Sequence, residues 1–199
     1  MVATIMSVRL TRAELEQFNG ATLPDLLGDS VRLLFVGINP GLLTAAVSAH
    51  FARKGNRFWP ALYQGGVLPR LVDASAGMRA DDLAMVNEMG IGITNLVDGA
   101  SARADELTRE QLRAGAKRLV ETVRRVQPRV VAMLGVTSYR EAFERKTAVT
   151  GRQDHDLGGA ELWVLPNPSG LNAHETLDSL AAAYRRAAIA AGIEVGPPP

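Results

Sequence analysis

The chain has no cysteine among its 199 residues. That excludes a disulfide framework, a thiolate metal site and a cysteine nucleophile. No apolar run approaches about 18 residues, so no transmembrane helix and no membrane partner is expected. Neither sign of charge is in excess: 22 Lys and Arg face 21 Asp and Glu, a net of +1. Any basic footprint for nucleic acid must therefore be local. Internal repeats are absent, and low complexity is confined to Gly196-Pro197-Pro198-Pro199. Met1 to Met6 is too short for a signal peptide, and charged residues follow at once. A cytoplasmic home is the expectation. His50, His155 and His174 share no metal-ligand spacing, so no metal and no cofactor is expected.

What is present is an ordinary globular composition, 47% hydrophobic and 22% charged, which excludes a disordered chain. Four short apolar runs read as buried strands: Val31–Val36, Ile91–Leu96, Val130–Leu134 and Leu162–Leu165. Near-continuous β-branched runs suit parallel strands covered on both faces. Thr11 with Glu14, and Thr108 with Gln111, form capping boxes that open helices. The second is followed by Leu112, Ala116, Leu119, Val123 and Val126 on one stripe. Phe58 and Trp59 begin a further apolar helical pattern through Leu62 and Tyr63. A last helix is expected from about His174 to Ala191, with Gly192 at its C′ position. The pattern predicts a three-layer α/β/α sandwich around a mostly parallel sheet. Residues 1–30 read as an N-terminal appendage, 31–192 as one domain and 193–199 as a disordered tail.

Ligands of such folds sit beyond the C-terminal ends of the strands. After the first strand comes Gly37-Ile38-Asn39-Pro40-Gly41, a preset loop whose backbone N–H groups suit an acceptor oxygen. Asn39 offers a donor and an acceptor without charge; the bland reading is a simple turn. After the last strand comes Pro166-Asn167-Pro168-Ser169-Gly170-Leu171-Asn172. There Leu171 is either a docking contact to the domain's own core or a wedge of the kind that base-extracting proteins insert into a stack. Between the two loops, Arg53, Lys54 and Arg57 interleave with Phe51, Phe58 and Trp59, cations suited to phosphates and faces suited to stacking. Phe58 and Trp59 read as core, and Phe51 as the flat surface inside a pocket. Asp98 follows the second strand, either as a turn aspartate or as a general base. Residues 109–125 carry six Lys and Arg against two Glu, which a solvated helix face explains.

The ordered set Gly37–Gly41, Gly55-Asn56-Arg57-Phe58-Trp59 and Asn167-Pro168-Ser169-Gly170-Leu171 resembles the mismatch-specific uracil-DNA glycosylase family, bacterial relatives of thymine-DNA glycosylase. The resemblance runs from about Val31 to Ala191. It implies an enzyme without a cofactor that flips uracil out of mismatched duplex DNA, notably G·U, and hydrolyses its glycosidic bond; nothing in the sequence demands more than a monomer. Asn39 then matches the asparagine that positions the attacking water. Gly37, Ile38 and Gly41 match the floor of the base pocket, Phe51 the stacking aromatic and Asn167 the second-motif asparagine. Gly170, Leu171 and Asn172 match the loop that enters the duplex. Arg53, Lys54, Asn56, Ser169 and His174 are assigned to the DNA side. Thr44 lies where the family lines the pocket near the pyrimidine C5, and its size implies uracil over thymine. Ala173 replaces the arginine expected in the bacterial wedge loop, which implies a weaker reading of the opposite guanine. Two other classes compete: a lesion-binding module that has lost catalysis, and a nucleotide hydrolase using the glycine-rich loop. The second lacks a lysine or metal-binding carboxylates near Gly41.

Overall fold

The apolar runs become strands because each is flanked by a breaker and buried on both sides. A computed structural model describes residues 10–199, so Met1 to Met6 and the start of the appendage lie outside it. The strands are β1 (Leu33–Gly37), β2 (Ile91–Asn95), β3 (Val130–Leu134), β4 (Gly151–Leu157) and β5 (Ala160–Leu165). The helices are α1 (Arg12–Glu16), α2 (Leu42–Ala46), α3 (Phe58–Gln64), α4 (Ala80–Glu88), α5 (Arg109–Val126), α6 (Val136–Ala142) and α7 (Leu177–Ala190). Both expected capping boxes form, and a third, Thr176 with Ser179, opens α7. That third box starts the last helix at Leu177 rather than His174.

The sheet order is β2-β1-β3-β5-β4, parallel except for β4. Alternate side chains of each strand enter opposite layers. Leu33, Phe35, Ile91, Ile93, Val130 and Ala132 pack with Phe58, Leu62, Val86 and Tyr184 from α3, α4 and α7. Leu34, Val36, Val131, Met133, Leu162 and Val164 pack with Leu112, Leu119, Val123 and Tyr139 from α5 and α6. This is the expected α/β/α sandwich. From β1 the chain runs out to β2 and then crosses back to β3. The switch point therefore lies between β1 and β3, where such folds open a crevice.

Three expectations need correction. β4 is a strand without a sequence signature, because Arg152, Gln153, Asp154, His155 and Asp156 give it no apolar pattern. Instead the Gly158-Gly159 turn, with φ of 60° and 98°, folds it back onto β5. His155 accordingly lies on a strand and meets the Tyr139 hydroxyl at 3.0 Å. Residues 20–30 are part of the body: Leu23 is buried, and Leu26 exchanges two backbone hydrogen bonds of 2.8 Å with Ile93 on the edge of β2. The start of the tail is tied down as well. Ile193 is buried, and the Gly196 N–H donates to the Gly66 carbonyl at 2.8 Å. Among the described residues no helix is long and apolar enough to cross a membrane.

Candidate active site

The C-terminal ends of all four parallel strands meet at one cavity of about 320 Å³. Asn95 ends β2, Gly37 ends β1, Leu134 ends β3 and Asn167 follows β5; all four line it. Ile38, Asn39, Gly41, Thr44, Phe51, Arg53, Asn56, Ser169 and Leu171 line it too. The structure thus gathers most of the site residues expected from sequence, although they span 135 positions between Gly37 and Leu171.

Loop 37–41 is held straight by the segment after β2. Leu96 and Val97 donate to the carbonyls of Gly37 and Ile38 at 2.9 Å, and Ser101 donates to Pro40 at 3.1 Å. The Asn39 amide nitrogen donates to Ser101 Oγ at 2.8 Å, Pro40 O at 3.0 Å and Gly99 O at 3.3 Å. Two of those acceptors are carbonyls, so the orientation of the amide is fixed: nitrogen inward, Oδ1 left to accept. Ser101 Oγ passes its own proton to Arg103 O at 2.8 Å. Sequence reasoning missed Asn95, the last residue of β2, and Ser101, in the loop that follows it, a segment about 60 residues away with no motif of its own. At Gly37 a Cβ would lie 2.5 Å from Asn95 Oδ1 and 3.5 Å from the Phe51 ring, so only glycine keeps this floor open.

Phe51 forms the wall. Its φ is 57°, a left-handed conformation that costs an aromatic residue roughly 1–3 kcal/mol. Packing holds it there: its ring stacks on Phe58 at 3.9 Å and 24° between planes. Phe58 and Trp59 are core, as expected. His50 also lines the cavity and is only 4% exposed. Its Nε2 lies 3.1 Å from Pro24 O, which can only accept, so that nitrogen carries the proton. Burial pushes its pKa down to about 4, which keeps the ring neutral at pH 7. Thr44, on α2, is buried against the cavity.

Leu171 is 75% exposed, which rules out a docking contact to the protein's own core. The loop beneath it is built from Asx turns: Asn167 Oδ1 accepts from Ser169 N at 2.9 Å, and Asn172 Oδ1 from His174 N at 3.3 Å. Gly170 touches the 53–56 segment so closely that a Cβ would sit 2.6 Å from Gly55 O. Arg53 and Lys54 are exposed beside this loop, and both flank a groove of about 250 Å³ with Ser169, Gly170 and Leu171. Asn56 caps α3 through Oδ1, which accepts from Phe58 N at 2.9 Å. His174 is exposed, two residues before the cap of α7.

Two placements differ from expectation. Asp98 does not reach the Asn39 cavity; it opens onto a separate depression and pairs with Arg118 at 3.1 Å. Strand β2 ends at Asn95, so the chain has already turned outward by residue 98. Arg57 does not face solvent with Arg53 and Lys54: its guanidinium turns inward to loop carbonyls. On α5, Arg109, Arg113 and Arg118 are paired with Glu141, Glu144 and Asp98, in keeping with a solvated face.

A neutral amide oxygen, an aromatic wall, a floor of backbone and an exposed leucine beside them suit a planar, uncharged ring brought in from outside. The family model for the uracil DNA glycosylase superfamily matches residues 24–190. The chain belongs to the uracil DNA glycosylase superfamily. The fold agrees: the solution NMR structure of a candidate uracil DNA glycosylase from Methanosarcina acetivorans matches with a TM-score of 0.57 at 16% identity. The match covers 84% of this chain and 97% of that one. Membership supports a DNA glycosylase role, hydrolysis of the bond between uracil and deoxyribose.

Proposed function

We propose that this glycosylase excises uracil from mismatched duplex DNA, notably opposite guanine, and leaves an abasic site. The observation that carries the reading is Asn39, which lines the cavity together with Phe51 and whose amide nitrogen is held by three acceptors, leaving Oδ1 free to accept. Oδ1 accepts a hydrogen bond from a water and aims its lone pair at the deoxyribose C1′. The C1′–N1 bond breaks with its electron pair going to the base. The water oxygen bonds to C1′ and its proton passes to solvent or to the departing anion. Asn39 orients but does not take the proton, so catalysis rests on positioning and on stabilising the leaving base. A general base ordinarily supplies about 10²–10⁴-fold, so a slow enzyme is expected. Among the described residues no lysine lines the cavity, in keeping with simple hydrolysis. Leu171 fills the space left by the flipped base, and Arg53 and Lys54 meet phosphates.

The test is base release from labelled duplexes carrying U·G, U·A or T·G, with wild type and Asn39→Ala run together and alkali cleaving the product. Release from U·G that vanishes in the variant supports the reading. Tight binding to an abasic duplex without release from any substrate refutes it in favour of a lesion-binding module.

A further inference from the structure

Arg57 belongs by sequence to a basic stretch, yet it serves the inside of the protein. Nη1 donates to Glu175 O, and Nη2 donates to Ser169 O at 2.7 Å and Asn172 O at 2.9 Å. Its backbone N–H donates to Pro168 O at 2.9 Å. Four carbonyls between 168 and 175 therefore converge on one residue. Among the described residues its Nε is buried with no partner, a cost accepted at this position. Two Asx turns and the Asn172 side chain, which donates to Asn167 O at 3.1 Å, already close the loop locally. What they do not supply is an attachment to the rest of the fold, and a planar fork of five N–H donors does. Arg57 also occupies the N-cap position of α3, and the next residue, Phe58, carries the stack under Phe51. One dipeptide thus supports both the pocket wall and the loop that bears Leu171.

We propose that Arg57 is a positioning residue: it clamps the 168–175 loop in the shape that presents Leu171 to the duplex. It also turns the carbonyls of Ser169, Asn172 and Glu175 inward, onto a cation and away from DNA phosphates, so the loop approaches a polyanion without opposing dipoles. The assignment rests on the glycosylase reading above, and its test has one arm that does not. Arg57→Met removes the fork, and Arg57→Lys keeps the charge without it. Both are compared with wild type in single-turnover release from U·G duplex and from duplex with uracil opposite a tetrahydrofuran abasic analogue. In the latter, no base pair need be broken to flip the uracil. A misplaced wedge is expected to slow U·G release on the order of 10- to 100-fold while the analogue substrate slows less than about threefold. Amide hydrogen exchange in the 168–175 loop is expected to rise in both variants, with protection in β1 and β3 retained.

Equal losses on both substrates overturn the proposal, since they would make Arg57 a general support of the pocket. Unchanged loop exchange also overturns it, whatever the activity. If wild type releases no uracil at all, the proposed function falls, and the exchange arm still decides the clamp. Should Arg57→Met fail to fold, Arg57→Lys carries both arms.

Discussion

His50 makes a prediction that joins the pocket to the stability of the fold. In the unfolded chain its imidazole titrates at its ordinary value of 6.5, and burial in the native state lowers that to about 4. The unfolded state therefore binds the proton first as pH falls. The stability tied to the neutral ring is complete above pH 6.5 and is lost as pH drops from 6.5 towards 4. Integrating those two values between pH 7 and pH 5 gives a loss of about 2 kcal/mol from this group. The melting temperature should fall by roughly 4–8 °C over the same interval on its account. The variant is His50→Gln, whose amide can still donate to Pro24 O and does not titrate. Urea unfolding of wild type and variant at pH 7 and pH 5 isolates the contribution, because every other ionisable group is common to both. Wild type is expected to lose about 2 kcal/mol more than the variant. Equal losses would refute the reasoning, since His50 would then titrate alike folded and unfolded.

Three other outcomes follow from the site. Thr44→Ala should gain release of thymine from T·G at least about tenfold relative to uracil from U·G, because a buried side chain at the pocket wall is shortened; an unchanged ratio places the C5 group elsewhere. Asp98→Asn should keep activity within about twofold, since it loses only an exposed ion pair worth about 0–1 kcal/mol; a large loss would restore it as a base. Gly37→Ala should lower stability by about 1–3 kcal/mol, seen in thermal melts, and release by at least tenfold, because its methyl would meet Asn95 and the Phe51 face.

Much of the site was legible because its residues sit at breaks in strong local patterns. Gly37–Gly41 stops a continuous strand, Phe58 and Trp59 start an apolar stripe, and Leu171 stands alone among polar turn residues. The unread parts depend on segments that meet only in three dimensions. Nothing near Ser101 signals that its hydroxyl holds Asn39, nor does Pro24 announce that its carbonyl fixes the tautomer of His50. Arg57 has the same charge as Arg53 and Lys54, and only packing turns it around. Asp98 lies away from the cavity because β2 ends at Asn95, one residue before its apolar run does, and direction reverses quickly beyond a strand. β4 escaped because a strand with charged residues on its outer face has no apolar period.

Those outer charges and the 20–30 segment have a shared consequence for behaviour in concentrated solution. A sheet ends in unpaired backbone groups that another chain can extend. At one margin Arg152, Asp154 and Asp156 project from β4 and discourage a neighbour. At the other, Leu26 already occupies hydrogen-bonding groups of Ile93. A truncated protein beginning at residue 31 would retain every strand and the whole cavity floor. It would also bare the β2 margin and take away the Pro24 carbonyl that holds His50, so self-association on storage would accompany a loosened pocket wall.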